Sequence, residues 1–149
     1  MRSIHEKGRS LRVGWGKRPL TDDDFQRLCR RFRVAVVEMP LRSGGFYYRV
    51  KDRDYIAIDS RLSGFAKLKV EFHELAHFLL HAPEFGATAN FLNVGKKTRV
   101  EFEADAFALC AVIPRRWLEE RSIEEILDTE DVTSEALAER LGIFATYGI

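Results

Sequence analysis

Residues 73 to 77 read His73-Glu74-Leu75-Ala76-His77, and this pentad constrains the chain more than any other stretch of it. On a helix, residues four apart are neighbours on one face, so two imidazoles at that spacing can reach one ion. The glutamate after the first histidine then points beside the ion, where it can hydrogen-bond a water without taking a coordination position. The chain has only 4 His in 149 residues, and shuffling such a composition produces the pattern in roughly 1% of chains. Three of those histidines, His73, His77 and His81, fall within nine residues of one another. The fold must therefore provide a helix through the pentad, an apolar face that buries it, and a third ligand from elsewhere.

The pentad helix is expected from about Ala66 to His81, closed by Pro83, with Leu68, Phe72, Leu75, Ala76 and Leu79 on its apolar face. His73 and His77 are the first two candidate metal ligands, and Glu74 is the candidate general base. A second apolar helix is expected at about 98–113, stopping before Pro114. It carries Glu101, Glu103 and Asp105. Glu101 and Glu103 leave nearly opposite sides of a helix, so only one of them can face the ion. Geometry favours Glu101, with a surface acid as the alternative, because Asp105 lies one turn away on the same face. Asp105 can then bind the free ring nitrogen of a ligand histidine and fix its tautomer. Ala104 and Ala108 would let the two helices approach closely. His81 lies about 12 Å along the axis from His73, too far to share an ion, and is read as a rim or structural residue.

Around these helices the pattern is α+β. Residues 1–20 are basic and glycine-containing without a clear period, and read as an arm; residues 21–149 read as one metallopeptidase domain. Thr21-Asp22-Asp23-Asp24 opens a helix with a cap and acids at its positive end. Val34 to Met39, Phe46 to Val50 and Tyr55 to Asp59 read as three short strands, with a hairpin turn at residues 51–54. Residues 83–97 read as a loop, and shorter helices follow at about 115–120, 122–128 and 133–141. The fold expected is a short three-stranded sheet packed on the pentad helix and the glutamate-bearing helix, with a helical C-terminal part.

Composition narrows the function. The 46% hydrophobic fraction supports a real core, and the net charge of +1 gives no general attraction to nucleic acid or acidic lipid. The tail has the outline of a helix-turn-helix. From Glu119 to Leu141, however, it holds nine acids against two bases, and would repel phosphate. The first 18 residues hold six bases against Glu6, suited at most to weak contact with an acidic partner. No export signal is read at the start. The longest apolar run, Ala106 to Ile113, is too short to span a bilayer. Cys29 and Cys110 read as buried free thiols. These features lead us to expect a cytoplasmic protein with no membrane or direct nucleic-acid partner.

Phe72-His73-Glu74-Leu75-Ala76-His77-Phe78-Leu79-Leu80-His81 and Glu101-Phe102-Glu103-Ala104-Asp105-Ala106-Phe107-Ala108, with Pro114 following, resemble the ImmA/IrrE family of metallo-endopeptidases. That family resembles the gluzincin plan, and the likeness extends loosely over residues 21–141. The resemblance implies a small zincin-like domain with one zinc ion per chain, held by His73, His77 and Glu101. It also implies that Asp105 stands where the family more often has Asn. Ala76 stands where Gly is frequent. It further implies a protein substrate, namely a helix-turn-helix transcriptional repressor inactivated by cleavage. A metal-bound regulatory protein that binds such a repressor without cutting it is the alternative, and retention of Glu74 argues against it. Tyr55, Tyr147 and His5 are candidates for stabilising the oxyanion. If the strand Tyr55 to Asp59 lies at a sheet edge, it could pair with an extended substrate.

Overall fold

The computed structural model describes residues 1–81 and 98–149. The expected loop at 83–97, and the helix stop at Pro83, lie outside the described residues. Among the described residues, seven α-helices and three strands follow one another as α1 (Arg2–Ser10), α2 (Asp22–Arg31), β1 (Val34–Met39), β2 (Gly45–Val50), β3 (Arg53–Asp59), α3 (Gly64–Ala76), α4 (Arg99–Val112), α5 (Arg115–Glu120), α6 (Ile123–Thr129) and α7 (Ser134–Tyr147). The last turn beyond α3, His77–His81, is π-helical.

Helix α2 starts where the capping chemistry requires. The Thr21 hydroxyl accepts from the Asp24 amide, and the Asp24 carboxylate accepts from the Thr21 amide at 2.8 Å. Arg18 adds two hydrogen bonds to Asp24, at 2.7 and 2.9 Å, and holds that carboxyl down at about 2. Helix α3 is capped from a distance. Asp131, in the acidic tail, accepts from the Phe65 amide at 3.1 Å and puts negative charge on the positive end of the helix.

Residues 1–20 are not a solvated arm. Arg2–Ser10 is a helix, and Ile4, Leu11 and Leu20 are fully buried in the main core. The sequence hides this because one contact surface of α1 is a glycine. The Trp15 ring lies so close to Gly8 that a Cβ there would fall 2.1 Å from it. The same indole packs on Phe107 of α4, ring centres 4.8 Å apart. Arg2 and Arg9 of this helix are exposed on its outer side.

The sheet order is β1-β3-β2, with β1 parallel and β2 antiparallel to β3. Strand β3 is thus the centre of the sheet and cannot be the edge on which a substrate pairs. Ile56, Ala57 and Ile58 are all fully buried, as befits a strand covered on both faces. The β2–β3 hairpin turns on two residues, Lys51 and Asp52, at φ 48° and 63°. Both positive angles belong to the tight turn that matches strand twist.

The core joins the sheet to the two helices that carry the candidate site. Phe72, Leu75 and Ala76 of α3 meet Ala104, Phe107 and Ala108 of α4, all without exposed surface. Three alanines in that interface allow close approach of the axes. Helix α7 closes the far side of α4 through Ala136, Leu137 and Ile143, and buried Arg140 donates to the Ile113 and Ile149 carbonyls, each at 2.8 Å. The helix-turn-helix outline of the tail is therefore a packed element. Cys29 and Cys110 are buried free thiols. Among the described residues, no helix is long and apolar enough to cross a membrane.

One buried group works against the fold. Glu71 of α3 is 1% exposed, and among the described residues only the acidic Asp22, outside ordinary hydrogen-bond geometry, stands near its carboxylate oxygens as a partner. Burial, and then the nearby Asp22, push its carboxyl from 4.5 up to about 9. The folded chain therefore keeps a proton that the unfolded chain loses, and stability falls as pH rises through that window. Glu71→Gln is expected to flatten this slope and to be the more stable protein at pH 8, by a few kcal/mol. Urea denaturation at pH 5 and pH 8 measures it, and parallel pH profiles for the two proteins would count against the reading.

Candidate metal centre

Helices α3 and α4 bring together side chains 28 positions apart in the chain, since Glu101 meets His73 across their interface. The three donor atoms converge on one point. His73 Nε2 lies 3.2 Å from His77 Nε2 and 3.2 Å from Glu101 Oε2, and His77 Nε2 lies 3.1 Å from Glu101 Oε1. A tetrahedral ion of zinc's size, with bonds of about 2.0–2.1 Å, holds its donors about 3.3 Å apart. Two neutral imidazole nitrogens and one carboxylate at this spacing fit such an ion. His73, His77 and Glu101 are the one group of this kind among the described residues.

The fit depends on α3 and the π-helical turn that continues it presenting His73 and His77 at i and i+4, and on Thr98 starting α4. The Thr98 hydroxyl accepts from the Glu101 amide at 3.3 Å, which places Glu101 in the first turn. Hydrogen bonds from His73 and then His77 hold the Glu101 carboxyl well below the ordinary carboxylate range. Burial alone would lower His73. The hydrogen bonds to Asp105 and Glu101 outweigh it and raise the imidazole to about 10. Without an ion the cluster therefore holds a proton at His73, which a metal would displace on binding.

Asp105 Oδ1 lies 2.7 Å from His73 Nδ1, the ring nitrogen turned away from the cluster. With the proton on Nδ1, the Nε2 lone pair is free for an ion. Asp105→Ala is expected to weaken metal binding by roughly 10–100-fold. Titration against a competing chelator measures it, and unchanged affinity would reduce Asp105 to a packing residue.

Glu74 is 5% exposed, and its carboxyl stands beside the cluster rather than in it. Burial, opposed by His73 and reinforced by Glu101, lifts it to about 7. The Tyr47 amide of β2 donates to it. That contact locates Glu74 relative to the sheet. The Asp59 amide bonds to the Gly44 carbonyl at 2.7 Å, so residues 46, 48 and 50 face β3 and residues 45, 47 and 49 point outward. The carboxylate therefore sits at the free edge of β2. Gly45 is required there: a Cβ would lie 2.7 Å from Val70 and 3.3 Å from Glu74. A cleft lined by Ser43, Lys69, Val70, His73, Glu74 and Asp105 opens at this point.

The remaining acid and histidine stay out of the cluster, as expected, but are joined to each other. Glu103 does not face the cluster, but neither is it idle: its Oε2 lies 3.0 Å from His81 Nε2, and its Oε1 accepts from Arg99 at 2.8 Å. His81 is 6% exposed and so is not a rim residue. Its Nδ1 lies 3.3 Å from His77 Nδ1. Comparing His81 with His73 alone hid this. The signal was the second i, i+4 step, from His77 to His81. Of the oxyanion candidates, Tyr55 is stacked on Tyr48 and His5 lies in α1. Tyr147 lines, with Phe102 and Asp105, an apolar cavity next to the cluster.

Residues 29–145 match the model of peptidase family M78, described as an IrrE N-terminal-like domain. No curated protein and no solved structure matches the chain.

Proposed function

Because the chain belongs to peptidase family M78, with an IrrE N-terminal-like domain, we propose that it is a zinc-dependent endopeptidase that cuts an extended segment of a partner protein. The observation that carries this reading is the convergence of His73, His77 and Glu101 with the Glu74 carboxyl beside them. Zinc, once bound, supplies a Lewis acid for the scissile carbonyl and lowers the pKa of a water at the open position. The chain's own residues do the rest. Glu74 takes the proton from the attacking water and returns it to the leaving amine, so a carboxyl titrating near neutrality serves both steps. Asp105 holds His73 in the tautomer that leaves Nε2 free.

The edge of β2 suits an extended chain. Its outward amides and carbonyls, at residues 45 and 49, flank the point where the Tyr47 amide meets Glu74. A segment paired there would run past the general base in a fixed register. The nature of the partner rests on the family likeness alone: a helix-turn-helix transcriptional repressor on a separate polypeptide. The tail, acidic and with its Arg140 buried, offers no phosphate-binding surface.

The test is incubation with zinc and the repressor encoded nearest to the gene. Discrete cleavage products are expected, and an intact repressor would reject the substrate assignment. Arg49→Pro should remove one outward amide without touching the β3 ladder. It is expected to slow cleavage by about 3–10-fold while zinc stays bound. Equal rates would reject pairing on this edge.

A further inference from the structure

The cluster's two histidines are both tethered on the side away from the metal donors, but by different means. His73 meets a carboxylate directly, through Asp105. His77 meets a second imidazole, His81, which in turn meets Glu103, which in turn meets Arg99 at the surface. We propose that His81 and Glu103 are positioning residues that fix the tautomer of His77 through a chain of hydrogen bonds running from the surface to the metal. The proposal rests on the metal-centre reading and extends it to residues to which no role has been assigned.

Proton placement decides which ring nitrogen can meet the metal. His77 can offer Nε2 to an ion only if its proton is on Nδ1. That Nδ1–H points at His81 Nδ1, 3.3 Å away. His81 Nδ1 must then be an acceptor, so the His81 proton must be on Nε2. That N–H faces Glu103 Oε2 at 3.0 Å, and a carboxylate accepts it. Arg99, donating to the other Glu103 oxygen at 2.8 Å, favours the ionised carboxylate. Every proton in the chain is therefore set by its neighbour, and the series has one solution compatible with a metal at His77 Nε2. Were Glu103 an apolar residue, His81 would lose the carboxylate that holds its proton on Nε2, and the Nδ1 tautomer would gain weight. Two N–H groups would then confront each other, or His77 would surrender its coordinating lone pair.

Burial makes the chain matter. His77 and His81 are 3% and 6% exposed, so water has little access to replace a missing partner. The π-helical turn at His77–His81 carries both rings, whose centres are 5.4 Å apart. One helix thus serves the whole centre: α4 gives Glu101 to the metal cluster, Asp105 to His73, and Glu103, by way of His81, to His77.

Zinc affinity by chelator competition tests the proposal, with circular dichroism of the metal-free proteins as the folding control. Glu103→Ala and His81→Ala are each expected to lose roughly 10–100-fold in affinity. The double variant should lose no more than the weaker-binding single, since both act through His77. Glu103→Ala combined with Asp105→Ala should instead multiply the two losses, because each acts on a different histidine. Glu103→Gln keeps a carbonyl acceptor and should recover most of the affinity. In the zinc-loaded wild type, nitrogen-15 NMR should put the His77 proton on Nδ1, and Glu103→Ala should weaken or shift that signal. Wild-type affinity in Glu103→Ala, or losses that multiply between Glu103 and His81, would overturn the proposal. Should His81→Ala fail to fold, the Glu103 pair of variants and the NMR signal decide alone. Failure of the metal reading itself looks different: the wild type would not take up one zinc, or His73→Ala would bind it equally well.

Discussion

Glu74→Gln is expected to lower peptide hydrolysis by about 10²–10⁴-fold while the protein still binds one metal per chain. Gln is nearly the same size as Glu and can still accept the hydrogen bond that the Tyr47 amide gives to residue 74. The cluster of His73, His77 and Glu101 does not use residue 74 for any of its donors. What the amide cannot do is accept a proton at neutral pH. The carboxyl can, because burial has raised it to about 7. The variant therefore separates two readings that metal content alone would confuse. A catalyst loses turnover and keeps its metal. A metal-bound adaptor keeps both its metal and its partner binding. Quenched-fluorescent peptides, with metal content measured on the same samples, provide the comparison. Turnover in Glu74→Gln within a factor of a few of wild type would remove Glu74 from the chemistry.

Much of this arrangement is legible in the sequence, and the exceptions have physical causes. The pentad and the stripe of Glu101, Asp105, Ala108 and Val112 obey helical spacing, so periodicity favours the faces on which α3 and α4 meet, though the apolar surface all round α4 leaves Glu101 open. Strand order does not follow from spacing. Even so, Tyr55-Ile56-Ala57-Ile58 lacks the polar alternation of a half-exposed strand, and that run marks the centre of a sheet rather than its edge. Helix α1 escapes notice because Gly8 lowers helix propensity and charges crowd its exposed side. Its role becomes visible only when Trp15 is seen seated on that glycine. The His81–Glu103 link joins two helices by side-chain geometry, and no periodicity within either helix announces it.

Glu101→Ala is expected to cost the site roughly two orders of magnitude in metal affinity, and Glu101 is the residue where sequence reasoning left most open. Apparent binding free energies of about 10–16 kcal/mol spread over four ligands give about 3 kcal/mol for each. Losing Glu101 also removes the charge that opposes the ion, leaving two neutral imidazoles. The fold should survive the change, because the contacts that dock α4 on α3 come from Ala104, Phe107 and Ala108, none of which Glu101 supports. Far-ultraviolet circular dichroism of the metal-free variant is thus expected to match the wild type. Glu103→Ala provides the contrast. It leaves all three donors in place and disturbs only the tether of His77, so its loss should be the smaller of the two. Chelator competition on both variants fixes the order. A Glu103→Ala protein that binds metal more weakly than Glu101→Ala would mean that Glu101 is not the third ligand.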